Sequence, residues 1–359
     1  FRLVTLPLLV PGLISATLLI FIRAMADFGT PMLVGGNFQT LAPAAYLQVV
    51  GLYDVEMAAV LCIVLLVPCL LLYFLHDFLL RRISYATITG SSTYSEVLGI
   101  SGLAKWALFN LALVVGVVNF LQYSFVVIGS FAKFWGHDYS FTLNHYSFAW
   151  KHGLQPLLNS VLMAIPAAAI GAFLGIFIAY FIVRERFFGR QLLDFTTAIP
   201  SVVPGTVVGI GYILAFHHPP LLLTGTFIIL IISCIFRFLP VGYKVGMTNL
   251  EQIEQSIEEA SLNLGAGWLT TFSEVILPLM RPAFLVGFIY IFMMSMTTLS
   301  AVIFLLRPGT KLMAVSIFKE AHTGNIGAAA ALSTLLIVIV TICLAVINKF
   351  GKIEQYERL

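Results

Sequence analysis

Eight mostly apolar stretches of about 20 residues or more recur along the chain, at roughly 8–28, 57–80, 106–132, 157–183, 193–216, 221–243, 282–305 and 327–348. Each is long enough for a helix to cross the hydrocarbon core of a bilayer. The pattern predicts an all-α membrane protein, a polytopic helical bundle with about eight transmembrane helices. Between the apolar stretches lie junctions carrying Arg81/Arg82 and Arg184/Arg186/Arg190, and a long charged region from Lys244 to Arg281. If every stretch crosses, these three regions share one side with Lys105, Arg237, Lys349, Lys352 and Arg358. The other side holds Lys133, Lys151, Arg307, Lys311 and Lys319. The excess of arginine marks the first side as cytoplasmic. Residues 133–155, with Trp135, Tyr139, Phe141, Tyr146 and Trp150, then lie outside, at the level of the lipid headgroups. Arg23 and Asp27 stand four apart, a spacing that lets them pair on one helix face.

Composition narrows the class. The chain is 60% hydrophobic and 10% charged, with a mean hydropathy of +1.01, too few charges to cover a water-soluble surface. Cys62, Cys69, Cys234 and Cys343 lie inside apolar runs without CxxC spacing and read as small packing residues. The histidines form no ligand cluster, so no metal site and no cofactor held by this chain is expected. No GxxxxGK[ST] phosphate loop appears, so the chain itself does not hydrolyse ATP, and no HExxH, GxSxG or paired intramembrane carboxylates suggest an enzyme. The rival class is an ion-coupled secondary transporter, but ionisable residues are scarce at mid-span. The lipid bilayer is the expected surrounding, with no role for nucleic acid.

Shifting the sequence by 271 residues aligns its two ends without a gap. Leu6-Pro7-Leu8 falls on Leu277-Pro278-Leu279, Pro11 on Pro282, Met25 on Met296, Leu41 on Leu312 and Ala58-Ala59 on Ala329-Ala330. The chain thus reads as two related halves. Residues 1–80 are the last two spans of a first half, 81–104 a cytoplasmic linker, 105–350 a complete six-span second half, and 351–359 a cytoplasmic tail. By symmetry about four spans would precede Phe1, which follows no methionine and no signal-peptide layout.

The most informative stretch is 246–281. Leu250, Ile253, Ile257, Ala260 and Leu264 recur at three- and four-residue intervals, predicting one helix with an apolar face, with Glu251, Glu254, Glu258 and Glu259 covering the rest. Gly265-Ala266-Gly267 ends it. A second short amphipathic stretch runs through Trp268, Phe272, Val275 and Ile276 to Leu277-Pro278. These residues resemble the EAA loop of type I ATP-binding-cassette importer permeases: Glu-Ala-Ala, three residues, Gly, nine residues, an aliphatic residue, one more, then Leu-Pro. Glu259-Ala260-Ser261, Gly265, Val275, Leu277 and Pro278 fill that pattern, with Ser261 for the third-position alanine and Val275 for the usual isoleucine.

The resemblance implies a coupling loop, Glu258, Glu259, Ala260, Ser261, Leu264, Gly265, Ala266, Val275, Leu277 and Pro278, that seats in a groove of an ATPase subunit. It makes Val4, Leu6 and Pro7 the remnant of a matching first-half loop. It also implies two ATPase subunits on the cytoplasmic side, which use ATP and magnesium, and a periplasmic substrate-binding protein as partners. Asn159-Ser160, Pro200 to Gly205 and Ser300 to Leu305 resemble further segments of these permeases. Asn159, Ser160, Ser201, Thr297, Thr298 and Ser300 are accordingly candidates to line a pathway, although Thr297, Thr298 and Ser300 could equally satisfy backbone carbonyls. The junction 81–90, Gly35-Gly36-Asn37-Phe38 and Tyr46-Leu47-Gln48-Val49 resemble fused two-half permeases of ferric iron importers, which suggests ferric iron as cargo. Thiamine, 2-aminoethylphosphonate, sulfate and polyamines are carried by related permeases.

Overall fold

The structure, a computed structural model, describes residues 5–82, 102–307 and 309–356. Most of the expected linker, the end of the tail and Val4 lie outside the described residues. In chain order the elements are α1 (Thr5–Met25), α2 (Gly29–Val34), α3 (Leu41–Gly51), α4 (Val55–Arg82), α5 (Gly102–Phe131), β1 (Ala132–Phe134), β2 (Asp138–Phe141), α6 (Asn144–Arg184), α7 (Arg190–Ala198), α8 (Gly205–Phe216), α9 (Phe227–Leu250), α10 (Gln255–Asn263), α11 (Trp268–Thr270), α12 (Leu277–Leu279), α13 (Arg281–Thr297), α14 (Met313–His322) and α15 (Ile326–Tyr356). The fold is helical, as the apolar runs predict, apart from the antiparallel hairpin of β1 and β2.

The crossings need revision in detail. Among the described residues five helical segments are long and apolar enough to cross a membrane: Val55–His76, Lys105–Phe131, Asn144–Arg184, Phe227–Leu250 and Ile326–Ile347. Two bent pairs bring the total to seven, and Gly12–Met25 is apolar but shorter. The expected span 193–216 is not one straight helix, because Arg190–Ser201 and Gly205–Phe216 meet at 111°. Pro200 and Pro204 flank that bend, and neither has an N–H to continue a helical ladder. The expected span 282–305 ends at Thr297, followed by a short 3₁₀ turn, Val302–Phe304. Helix α6 starts earlier than its span and takes in Tyr146 and Trp150, which the sequence pattern placed in an outside loop. Asp27 lies beyond the end of α1 and accepts the Gly29 N–H at 3.1 Å, so it caps α2 instead of sharing a helix face with Arg23.

The core is built by α6, α9 and α13. Ala164, Ala168, Ala172, Ile235, Phe238, Ile291 and Phe292 are buried in it. Small residues bring the backbones close: a Cβ on Gly175 would stand 2.7 Å from the Gly242 carbonyl carbon. Close approach of this kind replaces the hydrophobic effect as the glue between helices in lipid. Helix α5 has none of its apolar window buried.

The 271-residue shift also aligns elements. It carries α3 onto Leu312–His322, against α14 at Met313–His322, and places the start of α4 on Ile326, the first residue of α15.

Candidate functional site

At 1.5 Å per residue, the 41 residues of α6 are about 60 Å long, roughly twice the hydrocarbon thickness of a bilayer. Its far end carries Arg184, and the segment 251–280 folds around that residue. Helix α9 stops at Leu250, residues 251–254 form a turn, and Glu254 swings to ψ 133° to begin α10. The last carbonyls of a helix lack intrahelical donors. Here Arg184 supplies one, donating from Nη2 to the Leu250 carbonyl at 3.2 Å and to the Ile253 carbonyl at 2.6 Å. Its Nε donates to Glu258 Oε1 at 2.6 Å, and Tyr180 OH donates to Oε2 at 3.3 Å. A single guanidinium therefore ties together the end of α6, the end of α9, the turn and α10.

Helix α10 closes in a Schellman motif. The Ala266 N–H reaches the Ser261 carbonyl at 3.2 Å and the Gly265 N–H reaches the Leu262 carbonyl at 2.9 Å, with Gly265 at φ +87°. Beyond it, α11, a π-helical stretch over Thr271–Ile276 and α12 return the chain to the core. Pro278 removes the N–H that would bond the carbonyl four residues back, in the region where the helix widens. Pro282 follows the kink at Met280, where the chain bends by 69° into α13.

Two contacts fix the arms of this elbow. Ser261 Oγ lies 3.0 Å from Thr271 Oγ1. Tyr180 and Phe272 pack edge to face at 5.1 Å between centroids, with Phe177, Phe181 and Trp268 around them. Leu250, Phe272, Ile276 and Met280 are buried beneath, against Ile176.

The structure corrects the expected apolar face. Leu250 is buried, but Ile257 is 42% exposed and Leu264 89% exposed. The turn at 251–254 breaks the helical phase, so Glu258 and Ser261 are the inward positions of α10. Glu258, expected at the surface, is 6% exposed because Arg184 neutralises it. Glu259 and Ala260 remain exposed, Ala266, Val275, Leu277 and Pro278 are half-buried, and Leu262 and Leu269 join Leu264 at the surface. Leu6 and Pro7 lie in the first turns of α1.

Of the candidate pathway residues, Ser201 and Ser300 come near one side chain, Arg237, whereas Asn159 and Ser160 serve another element. Asn159 Nδ2 donates to the Lys311 carbonyl at 2.9 Å, and the buried Ser160 Oγ accepts from the Met313 N–H at 2.9 Å. Both anchor the start of α14. Thr297 turns back to the Met293 carbonyl, Ser201 donates to the Ala198 carbonyl at 2.7 Å, and Thr298 is half-buried at the end of α13. Ser300 lies 3.4 Å from Arg237 Nη2. The sequence pattern missed Arg184 as a clamp and Arg237 as an internal charge. Arg237 had a signal, since it interrupts Ile235-Phe236 and Phe238-Leu239.

Residues 126–350 match the family described as binding-protein-dependent transport system inner membrane component. The chain belongs to this family. This inner-membrane component is similar to the ferric transport system permease protein FbpB of Actinobacillus pleuropneumoniae, 36% identical over 339 residues, covering 93% of the chain and 49% of the relative. It is likewise 36% identical over 318 residues to the putative ferric transport system permease protein FbpB 1 of Haemophilus influenzae, covering 87% of the chain and 50% of that relative. The chain thus spans about half the length of these relatives. A putative 2-aminoethylphosphonate transport system permease protein, PhnV, of Salmonella typhimurium is 27% identical over 240 residues, covering 66% of the chain and 90% of that protein. In fold, the permease component matches the crystal structure of a bacterial alginate ABC transporter bound to an alginate-loaded periplasmic protein. The TM-score is 0.57 at 16% identity, covering 69% of this chain and 94% of that one.

Proposed function

We propose that the chain is the permease part of an ATP-driven importer, with 251–280 as the docking elbow for a separate ATPase subunit. The observation that carries this reading is the elbow itself. It shows Leu262, Leu264 and Leu269 outward, while Arg184 and the Tyr180–Phe272 cluster fasten it to the ends of two long helices. An exposed apolar knuckle on a rigid mount suits transmission of a partner's motion into the spans by rigid-body displacement. Glu259 and Gly265 hold the corresponding family positions, Glu259 free at the surface and Gly265 making the turn. The elbow side is cytoplasmic by its arginine excess. Two ATPases and a periplasmic binding protein complete the assembly, and the aligned elements at 271 residues favour two halves with a linker at 81–104.

Ferric iron is the proposed cargo, because the relatives that align over most of the chain are named as ferric permeases. A phosphonate is the second reading, favoured by the weaker similarity to the aminoethylphosphonate permease. Co-purification of the assembled transporter tests both levels. A Gly265→Pro variant is expected to insert normally and to lose the ATPase, and unchanged ATPase recovery and uptake would remove the docking assignment. A phosphonate-loaded binding protein in the complex would end the iron reading.

A further inference from the structure

A cavity of about 210 Å³ opens between α1, the proline-bearing turn after α7, α9 and α13, with Arg23, Ser201, Val202, Arg237, Tyr290 and Met294 in its wall. Arg237 stands mid-way along α9, where a charge within a membrane is costly unless it is answered. Its Nη1 is buried without a hydrogen-bond partner, and its Nη2 reaches only Ser300 Oγ at 3.4 Å. Among the described residues no carboxylate pairs with it, and none lines the cavity. The ring of Phe238, 5.7 Å from the guanidinium carbon, adds a modest attraction. Gly205, the first residue of α8, presses on the same group: a Cβ there would collide with both terminal nitrogens and with Ser300 Oγ. The positive end of the α8 dipole therefore abuts the guanidinium. Arg237 also lines the cavity, so a cationic side chain with no carboxylate partner among the described residues borders it beside the exposed Arg23; two such charges call for a negative occupant.

We propose that this cavity binds a phosphate-sized oxoanion, attracted by the charges of Arg237 and Arg23 in its wall. The exposed Arg23 guanidinium presents parallel N–H donors that match two oxygens of such an anion, while the buried Arg237 charge adds attraction from the wall. At ~30 Å³ per water, the cavity has room for the anion and part of its hydration shell. Its use in transport rests on the import reading above. Under the 271-residue shift Arg23 of α1 corresponds to Met294 of α13, and both line the cavity, which thus lies between the repeated units where a route is expected. A bare ferric ion would be repelled by two guanidiniums. The cargo class that fits is an oxoanion-bearing species, a metal with oxoanion ligands or a cargo with its own anionic group.

The test is equilibrium binding of radiolabelled inorganic phosphate to the whole transporter in phosphatidylcholine nanodiscs at constant ionic strength. Saturable binding is expected, with affinity at least tenfold lower in Arg237→Gln, reduced less in Arg237→Lys, and a few-fold lower in Arg23→Gln. Wild-type affinity in Arg237→Gln overturns the proposal. If that variant does not assemble, unchanged affinity in Arg23→Gln overturns it instead. Nanodiscs doped with a minority of phosphatidylglycerol should weaken binding by the same factor in wild type and in Arg23→Gln, that of the surface potential, and complete loss of saturable binding there would assign the cavity to a lipid headgroup and overturn a soluble anion. ATPase recovery with the wild-type complex, scored in parallel, separates failure of this site from failure of the import reading.

Discussion

Arg184 Nε lies 2.6 Å from Glu258 Oε1, in a pair that is 13% and 8% exposed on its two side chains. A buried pair of this kind is costly to break on one side, because the survivor keeps its charge without its partner. Arg184→Met should destabilise the permease by about 3–5 kcal/mol and loosen the elbow. Glu258→Gln should cost less than Arg184→Met, since it leaves Arg184 its two carbonyl acceptors. Thermal unfolding of both single variants and the double variant forms the check, and a double variant as poor as the sum of the singles would show that the two side chains do not interact.

Leu264 is the opposite case. Nothing inside the chain depends on a residue 89% exposed, so Leu264→Asp should change stability by no more than about 0.5 kcal/mol. Recovery of the ATPase with the permease should fall at least tenfold. Equal recovery would mean that the knuckle docks nothing.

Gly265 isolates a backbone effect. Its φ is +87° and an added Cβ would meet nothing within 4 Å, so the whole cost of Gly265→Ala is conformational, about 1–2 kcal/mol. Gly265→Asn should be milder, since asparagine tolerates the left-handed region. Melting temperatures in the order Gly, Asn, Ala are the expected result.

Gly175 should behave differently. A Cβ there meets the Gly242 backbone, which cannot rotate aside, so Gly175→Leu should prevent assembly of α6 on α9 and abolish recovery of monodisperse protein. Size-exclusion chromatography of the solubilised protein decides it. A normal profile would show that these two helices do not approach as closely as described.

Much of this was legible beforehand, and the misses have physical causes. Long apolar runs located the helices because burying backbone polar groups in lipid leaves few alternatives to a helix. Hydropathy could not show that 193–216 bends by 111°, since both arms are apolar, although Pro200 and Pro204 marked the place. The glycine turn at Gly265 and the Leu277-Pro278 exit were readable from residue type. The facing of α10 was not, because the turn at 251–254 resets the phase that periodicity assumes. Arg184 looked like one more cytoplasmic charge. Its clamp depends on Glu258, 74 positions away, and no local pattern reports a partner at that distance. Asn159 and Ser160 stand out by resemblance to a family segment, and the structure shows them spent on the backbone at Lys311 and Met313.

The shift that superimposes the two ends of the chain puts a guanidinium at one position of the cavity wall and a thioether at its counterpart. Two identical copies facing one another would present the same chemistry from both sides and could hold a passing ion only at their midline. If the cavity lies on the proposed route, Arg23 and Met294 give its wall a charged position and a soft one at equivalent places, and a cargo would be drawn toward the charged one. Two related halves joined in one polypeptide, as proposed, would let each position change without altering its counterpart.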